Sequence, residues 1–157
     1  MRKQKDLGLT LLVGRICSGK STYKPDACRI VVSNIVKDII KSSDRSQLQD
    51  TMHLAKRIAT AITMIIDTSQ HMFDEIIVDG IRQPEIVEEL LKYHPYADLV
   101  WLEVPEEERK RRYETRKDAK DTESFEIADN KAIELECQKI FSIFKDQLTV
   151  VHNYTQK

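Results

Sequence analysis

The stretch that decides the fold is Leu7-Gly8-Leu9-Thr10-Leu11-Leu12-Val13, followed by Gly14-Arg15-Ile16-Cys17-Ser18-Gly19-Lys20-Ser21. The second part fits the phosphate-binding pattern GxxxxGK[ST], and the first is an apolar run of buried-strand length, as that motif requires. In such a loop, glycines let backbone N–H groups wrap a phosphate, lysine reaches the β- and γ-phosphates, and the serine hydroxyl ligates Mg²⁺. The pattern therefore predicts a nucleoside triphosphate site formed by Gly14, Arg15, Ile16, Cys17, Ser18, Gly19, Lys20, Ser21 and Thr22.

The composition of the chain indicates one folded domain spanning 1–157. It has 157 residues, of which 41% are hydrophobic and 32% charged, so the low hydrophobicity and high net charge of disordered chains are absent. No apolar run approaches the roughly 18 residues that cross a bilayer, and the N-terminus lacks a signal-peptidase site, so we expect no membrane association. Three cysteines without a CxxC pair argue against disulfides and structural zinc, which favours the cytoplasm. The net charge of −1 excludes a globally basic nucleic-acid binder but allows a local basic groove.

Apolar runs alternate with helical patterns along the chain, which predicts an α/β fold with a parallel sheet that binds ligands at the carboxyl ends of its strands. The predicted strands are Leu7–Val13, Arg29–Ser33, Glu75–Asp79, Asp98–Val104 and Leu148–His152. The predicted helices are Asn34–Lys41, Arg45–Gln70, Gln83–Tyr93, Pro105–Lys117 and Ser124–Gln147, the last in one or two pieces. Because Pro25 closely follows the phosphate loop, we also expect the helix after the loop to be unusually short.

Two further segments carry candidate acceptor-side residues. Asp79 ends the strand Glu75–Asp79 and is suited to organise Mg²⁺ or to orient an acceptor hydroxyl, although an Asp before Gly80 is also typical of a turn. Arg82 follows, where its guanidinium can clamp a phosphate or simply lie in solvent. On the long predicted helix, Arg45 and Gln49 begin a polar stripe that fits either an acceptor-binding face or a solvated surface.

The segment 109–120 concentrates positive charge. Arg109, Arg112 and Arg116 recur at helical spacing on one face, where arginines can stabilise the charge that develops during phosphoryl transfer. Alternatively, the segment is a solvated basic helix or contacts a nucleic-acid backbone.

These segments together resemble the nucleoside monophosphate kinase superfamily, in particular phage-type deoxynucleoside monophosphate kinases and dephospho-coenzyme A kinase-like proteins. The resemblance rests on Gly14–Thr22, Arg45–Thr51, Val78–Arg82 with Glu85, and Val104-Pro105-Glu106 with Arg109, Arg112 and Arg116. It implies a three-layer P-loop fold with a five-stranded parallel sheet, ATP as the donor, Mg²⁺, and a short helical lid at about 106–124.

The resemblance also implies roles for individual residues. Lys20 and Ser21 match the phosphate-loop lysine and Mg²⁺ ligand, Arg45 and Arg82 match acceptor-side arginines, and Arg112 and Arg116 match lid arginines. With the interpretation of Asp79 and Gln49 above, the predicted catalytic residues are Lys20, Asp79, Arg112 and Arg116. Ser21 and Asp79 are predicted to hold Mg²⁺, and Arg45, Gln49 and Arg82 to bind the acceptor. Ser33-Asn34 departs from the pattern, because related kinases often carry an Asp after the second strand.

The expected function is transfer of the γ-phosphoryl group of ATP to a small nucleotide acceptor, a (deoxy)nucleoside monophosphate, by a monomer or homodimer in the cytoplasm (the host cytoplasm if the chain is phage-encoded). One alternative is a phage-type kinase that acts on 5-hydroxymethyluracil within DNA. Another is a P-loop ATPase that hydrolyses ATP without an acceptor. A GTPase is disfavoured because no NKxD-like segment is present, and an AAA-type ATPase because the chain is short and lacks a sensor region.

Overall fold

A computed structural model of the protein describes residues 7–42, 51–116 and 123–154. Its centre is a five-stranded sheet in the order β2-β3-β1-β4-β5, in which every neighbouring pair is parallel. This architecture confirms the predicted α/β fold. The strands are β1 (Gly8–Gly14), β2 (Cys28–Val31), β3 (Glu75–Asp79), β4 (Asp98–Glu103) and β5 (Leu148–His152).

The two faces of the sheet are covered unequally. The larger apolar cluster joins one face to four of the helices, and its buried members include Leu11, Ile62 and Ile140. The smaller cluster, centred on Leu12 on the opposite face, is packed by partly buried residues that include Tyr23. Successive strand residues point to opposite faces, so both Leu11 and Leu12 are buried. The helices are α1 (Val32–Ser42), α2 (Thr51–Ser69), α3 (Pro84–Tyr93), α4 (Glu106–Arg116), α5 (Phe125–Asp129) and α6 (Ala132–Ile143).

The segment after the phosphate loop is a single 3₁₀ turn at Lys20–Thr22, which confirms the expected curtailed helix. Proline at position 25 has no N–H to donate and disfavours helical backbone at the preceding residue. Lys24, the residue before the proline, has a positive φ of 46°, so it too lies outside right-handed helical backbone. The chain then runs directly into β2, so the sheet face that Leu12 occupies is covered by this short segment.

Some predicted boundaries are wrong. The strand predicted at Arg29–Ser33 ends at Val31, where its pairing with Asp79 of β3 ends, and Val32 already begins α1. The last predicted helix is in two pieces, as the sequence allowed, with α5 and α6 separated at Asn130-Lys131, but α6 ends at Ile143 and not at Gln147. Within the described ranges, no helix combines the length and the apolar character needed to cross a bilayer.

Candidate active site

The phosphate loop leaves the carboxyl end of β1, at the centre of the sheet. Neither motif glycine has room or backbone freedom for a side chain: a Cβ on Gly14 would lie 2.5 Å from Ser18 Oγ and 3.1 Å from the carbonyl oxygen of Leu102, and Gly19 has a φ of +88°. The Lys20 ammonium spans the loop, donating to the carbonyl oxygens of Gly14 at 2.7 Å and Arg15 at 3.0 Å. The predicted ATP-binding residues therefore form one compact loop around the lysine.

A cleft of about 480 Å³ opens beside this loop and joins residues from separate elements. Loop residues from Ile16 to Ser21 form one wall, and Ser33, Asp79 and Arg82 form the wall at the ends of β2 and β3. Arg116, from the end of α4, completes the lining. The structure thus brings together five predicted site residues that are far apart in sequence: Lys20, Ser21, Asp79, Arg82 and Arg116.

The residues in the cleft fit the protein's share of a Mg²⁺ site. Magnesium in nucleotide sites takes few protein oxygens and fills its octahedron with phosphate and water. The exposed hydroxyl of Ser21 and the carboxylate of Asp79 both line the cleft and supply such oxygens. Among the described residues, no cluster of three or more His, Cys, Asp and Glu side chains is arranged to hold a metal.

Asp79 is only 7% exposed and is paired with an arginine that sequence reasoning missed. Arg29 of β2 donates from Nε to Asp79 Oδ2 at 3.1 Å. Its terminal nitrogen also donates to the backbone carbonyls of Lys20, at 2.9 Å, and Tyr23. Arg29 therefore contacts both the strand-end carboxylate and the turn that follows the phosphate loop.

Arg82 is held by a second missed residue, Glu134 of α6. The Glu134 side chain is buried and accepts from the Arg82 guanidinium through Oε1. Its Oε2 accepts from the backbone N–H of Ile16 in the phosphate loop at 3.1 Å. One carboxylate therefore fixes both the loop and the predicted acceptor-side arginine.

The three arginines of α4 have different surroundings. Arg109 is buried in an ion pair with Asp129, which also pairs with Arg15 of the loop at 3.0 Å. Arg112 donates to the carbonyls of Cys17, at 3.2 Å, and Asn153, at 2.7 Å, so it braces the loop from behind.

Arg116 differs from both, because its guanidinium lies 5.1 Å from the ring of Tyr113 while it lines the cleft. Arg116 therefore lies in the cleft, whereas Arg112, also predicted to be catalytic, donates to backbone carbonyls and pairs with Glu108 at 3.2 Å.

The electrostatics of the cleft centre on Lys20. Burial lowers the pKa of Lys20 below its usual range, and the positive charge of Arg82 acts in the same direction. The carboxylates of Glu134 and Asp79 oppose this shift. A phosphate placed beside Lys20 would stabilise its charged form, since an opposite charge within a few ångströms favours ionisation.

Two predicted acceptor-binding residues, Arg45 and Gln49, lie outside the described residues. The residues that the sequence did not reveal, Arg29, Glu134 and Asn153, are each brought to the loop by tertiary folding. Asn153 follows β5 and donates from Nδ2 to the carbonyl of Ser18 at 2.8 Å. No local motif marks any of the three. The available signals were the charge of Arg29 and Glu134 and the position of Asn153 directly after a predicted strand.

A phosphate loop at the centre of a parallel sheet, with a carboxylate at the end of the neighbouring strand, defines a P-loop nucleotide-binding protein with a kinase-like fold. The model of the AAA domain family AAA_18 matches residues 11–133, and the chain belongs to this family. An AAA-type ATPase was disfavoured above because the chain is short and lacks a sensor region. The family match corrects that expectation at the level of the family.

Among solved structures, the chain is similar to the unliganded crystal structure of a sugar kinase from Janibacter sp. HTCC2649, with a TM-score of 0.59 and 14% sequence identity. The match covers 96% of this chain and 87% of the sugar kinase chain. At this identity the likeness shows the fold alone. A search of curated proteins gave no match.

Proposed function

We propose that the protein is an ATP-dependent phosphotransferase that moves the γ-phosphoryl group to a nucleotide-type acceptor, a (deoxy)nucleoside monophosphate. The observation that carries this proposal is the single cleft shared by the phosphate loop, Asp79, Arg82 and Arg116. A hydrolase needs only a positioned water beside the γ-phosphate. A cleft that continues past the loop to a carboxylate and a cation offers room and charge for a second, anionic substrate.

The proposed roles follow from the positions of the side chains. The loop amides and Lys20 bind the donor phosphates, and Arg116 stabilises the charge that develops on the migrating group. Arg82, held by Glu134, binds the acceptor phosphate, whose oxygen attacks the γ-phosphorus as ADP leaves, while Asp79 orients a metal-bound water. Ser21 would be a protein ligand of Mg²⁺, which would supply positive charge to the donor phosphates.

Two alternatives have specific support. The short segment after the loop leaves one side of the site without a helical wall, which suits a polymeric acceptor such as DNA containing 5-hydroxymethyluracil. Membership of a family described as an AAA domain favours an ATPase that needs no acceptor.

A transfer assay with γ-labelled ATP separates these functions. The acceptors are each nucleoside and deoxynucleoside monophosphate, dephospho-coenzyme A, and DNA with and without 5-hydroxymethyluracil. We expect ATP turnover to depend on an added monophosphate and the label to appear in a diphosphate. Label found only in modified DNA would favour the DNA kinase, and turnover that ignores every acceptor would establish the ATPase.

Replacement of the loop lysine tests the site itself. We expect Lys20→Ala to lower transfer by about a hundredfold or more, because it removes the cation at the donor phosphates. Circular dichroism should show a folded protein. Lys139→Ala is the matched control, since Lys139 is an exposed helix lysine paired with Glu136. Wild-type activity in Lys20→Ala would overturn the assignment of the loop as the donor site.

A further inference from the structure

We propose that Arg29 is a positioning residue that replaces the missing part of the helix after the phosphate loop and couples that loop to Asp79. The proposal rests on the proposed function, because it assigns Arg29 a task at the same nucleotide site. Neither the phosphate-loop pattern nor the lid arginines mark this residue. The role of Arg29 follows from how the backbone carbonyls between Lys20 and Arg29 find their hydrogen-bond donors.

The argument begins with carbonyl groups that have lost their helical partners. In a continuous helix, the carbonyl of Lys20 would accept from the N–H of residue 24, and that of Tyr23 from residue 27. Proline at position 25 and the left-handed backbone of Lys24 end the helix before these bonds form. The Lys20 carbonyl instead accepts a long 3₁₀ bond from Tyr23 at 3.4 Å, which leaves it weakly bound within the turn.

The guanidinium of Arg29 supplies the missing donors. Its terminal nitrogen donates to the carbonyls of Lys20, at 2.9 Å, and Tyr23. Lys20 and Ser21, which handle phosphate and Mg²⁺, belong to the turn that these bonds hold. Partial burial of Arg29, whose side chain is 16% exposed, protects the bonds from water.

The same guanidinium fixes the strand-end carboxylate. Arg29 Nε donates to Asp79 Oδ2 at 3.1 Å, and the Asp79 side chain is 10% exposed. This contact uses one carboxylate oxygen, so Oδ1 remains for a metal-bound water. The planar guanidinium of arginine can donate hydrogen bonds to the carboxylate and to both carbonyls at once. A lysine ammonium is a compact point charge and cannot reach all three acceptors.

The chain contains a matched control for this contact. Lys24 pairs with Glu75 at the other end of β3, at 2.7 Å, and its side chain is 48% exposed. Lys24→Gln therefore removes a cation from the same segment and an ion pair to the same strand, without touching the phosphate loop.

Binding of a fluorescent ATP analogue, titrated with Mg²⁺, tests the proposal without any transfer reaction. We expect Arg29→Gln to weaken binding by about tenfold or more, the size expected when charge-assisted hydrogen bonds are lost, and to raise the Mg²⁺ concentration for half-maximal binding. Arg29→Lys should bring the Mg²⁺ requirement back towards wild type, because its charge can still pair with Asp79. The affinity of Arg29→Lys for the analogue should stay low, because the carbonyls of Lys20 and Tyr23 would still lack their hydrogen-bond donor. Lys24→Gln should match wild type in both measurements.

The outcomes separate this inference from the proposed function. Wild-type affinity in Arg29→Gln, or full recovery of affinity in Arg29→Lys, would overturn the proposal. If circular dichroism shows that Arg29→Gln does not fold, the affinity of Arg29→Lys for the analogue shows whether a positive charge is enough or the guanidinium geometry is needed. If the wild type binds the analogue but transfers phosphate to no acceptor, the proposed function fails while the role of Arg29 in binding is still measured.

Discussion

Removal of the Glu134 carboxylate is the sharpest test of how the phosphate loop is supported. Glu134 is 2% exposed, and its two oxygens accept from the Ile16 N–H, at 3.1 Å, and from Arg82. In Glu134→Ala, the loop N–H loses its partner and Arg82 loses its counter-charge. We expect a less stable protein whose loop binds ATP more weakly.

The magnitude follows from the exposure of each partner. The Arg82 side chain is 33% exposed and can be rehydrated, so loss of the ion pair costs no more than about 1 kcal/mol. Ile16 is only partly buried and lines the cleft, so water can partly replace the lost acceptor of its N–H. Loss of that bond should therefore cost about 1–2 kcal/mol, the lower part of the range for an unsatisfied buried donor. The free energy of unfolding should therefore fall by about 1–3 kcal/mol. Glu134→Gln keeps an acceptor oxygen and should lose about half as much.

Urea unfolding followed by the fluorescence of the buried Trp101 measures this change, with an unchanged m-value as the check on two-state behaviour. Glu136→Ala is the control, because this partly exposed carboxylate lies on the same helix and pairs with the surface lysine Lys139. Its loss should cost less than about 1 kcal/mol. If Glu134→Ala unfolds within about 0.5 kcal/mol of wild type and binds an ATP analogue as well, the support of the loop by this carboxylate is refuted.

Two further predictions concern the loop backbone and a buried histidine. Gly14→Ala should lose ATP-analogue binding, because its Cβ would lie 2.5 Å from Ser18 Oγ. Gly8→Ala is the control and should bind normally, because its Cβ would have no contact closer than 3.4 Å. Binding of the analogue by both variants would contradict the steric argument at Gly14. Burial lowers the pKa of His94 in the folded protein, so as the pH falls the unfolded chain binds a proton at this histidine before the folded protein does. The stability that neutral His94 contributes is therefore fully present above pH 6.5 and is lost as the pH falls below that value. Unfolding free energy measured from pH 7 to 5 should fall less steeply in His94→Gln than in wild type or in His71→Gln, and equal slopes would contradict this reasoning.

The sequence was sufficient for the elements whose signals are local. The phosphate loop carries its own pattern, and the strands are short apolar runs that cannot be mistaken for surface helices. The curtailed helix was also predictable, because Pro25 acts on its immediate neighbours. The boundary between β2 and α1 was not, because Val32 suits a strand as well as a helix and the strand ends where its partner β3 ends.

The supports of the loop could not be predicted because they join residues that are remote in sequence. Glu134 lies 118 positions from Ile16, and Asn153 lies 135 positions from Ser18. Helical spacing placed the arginines of α4 on one face, but it could not reveal that Arg109 would be buried against a carboxylate. Periodicity gives the direction of a side chain, whereas its role depends on what the rest of the fold places opposite it.

The arrangement of charge explains how a chain of net charge −1 can offer a cleft for phosphate. Cations around the loop are held by acids from other elements: Arg29 by Asp79, and Arg82 by Glu134. Such pairing fixes each guanidinium before substrate arrives, so binding an anion requires little reorganisation. Arg112 extends this principle, because its bond to the Cys17 carbonyl ties α4 to the loop. A movement of α4 that brings Arg116 closer to the phosphate loop would therefore act on the loop backbone as well.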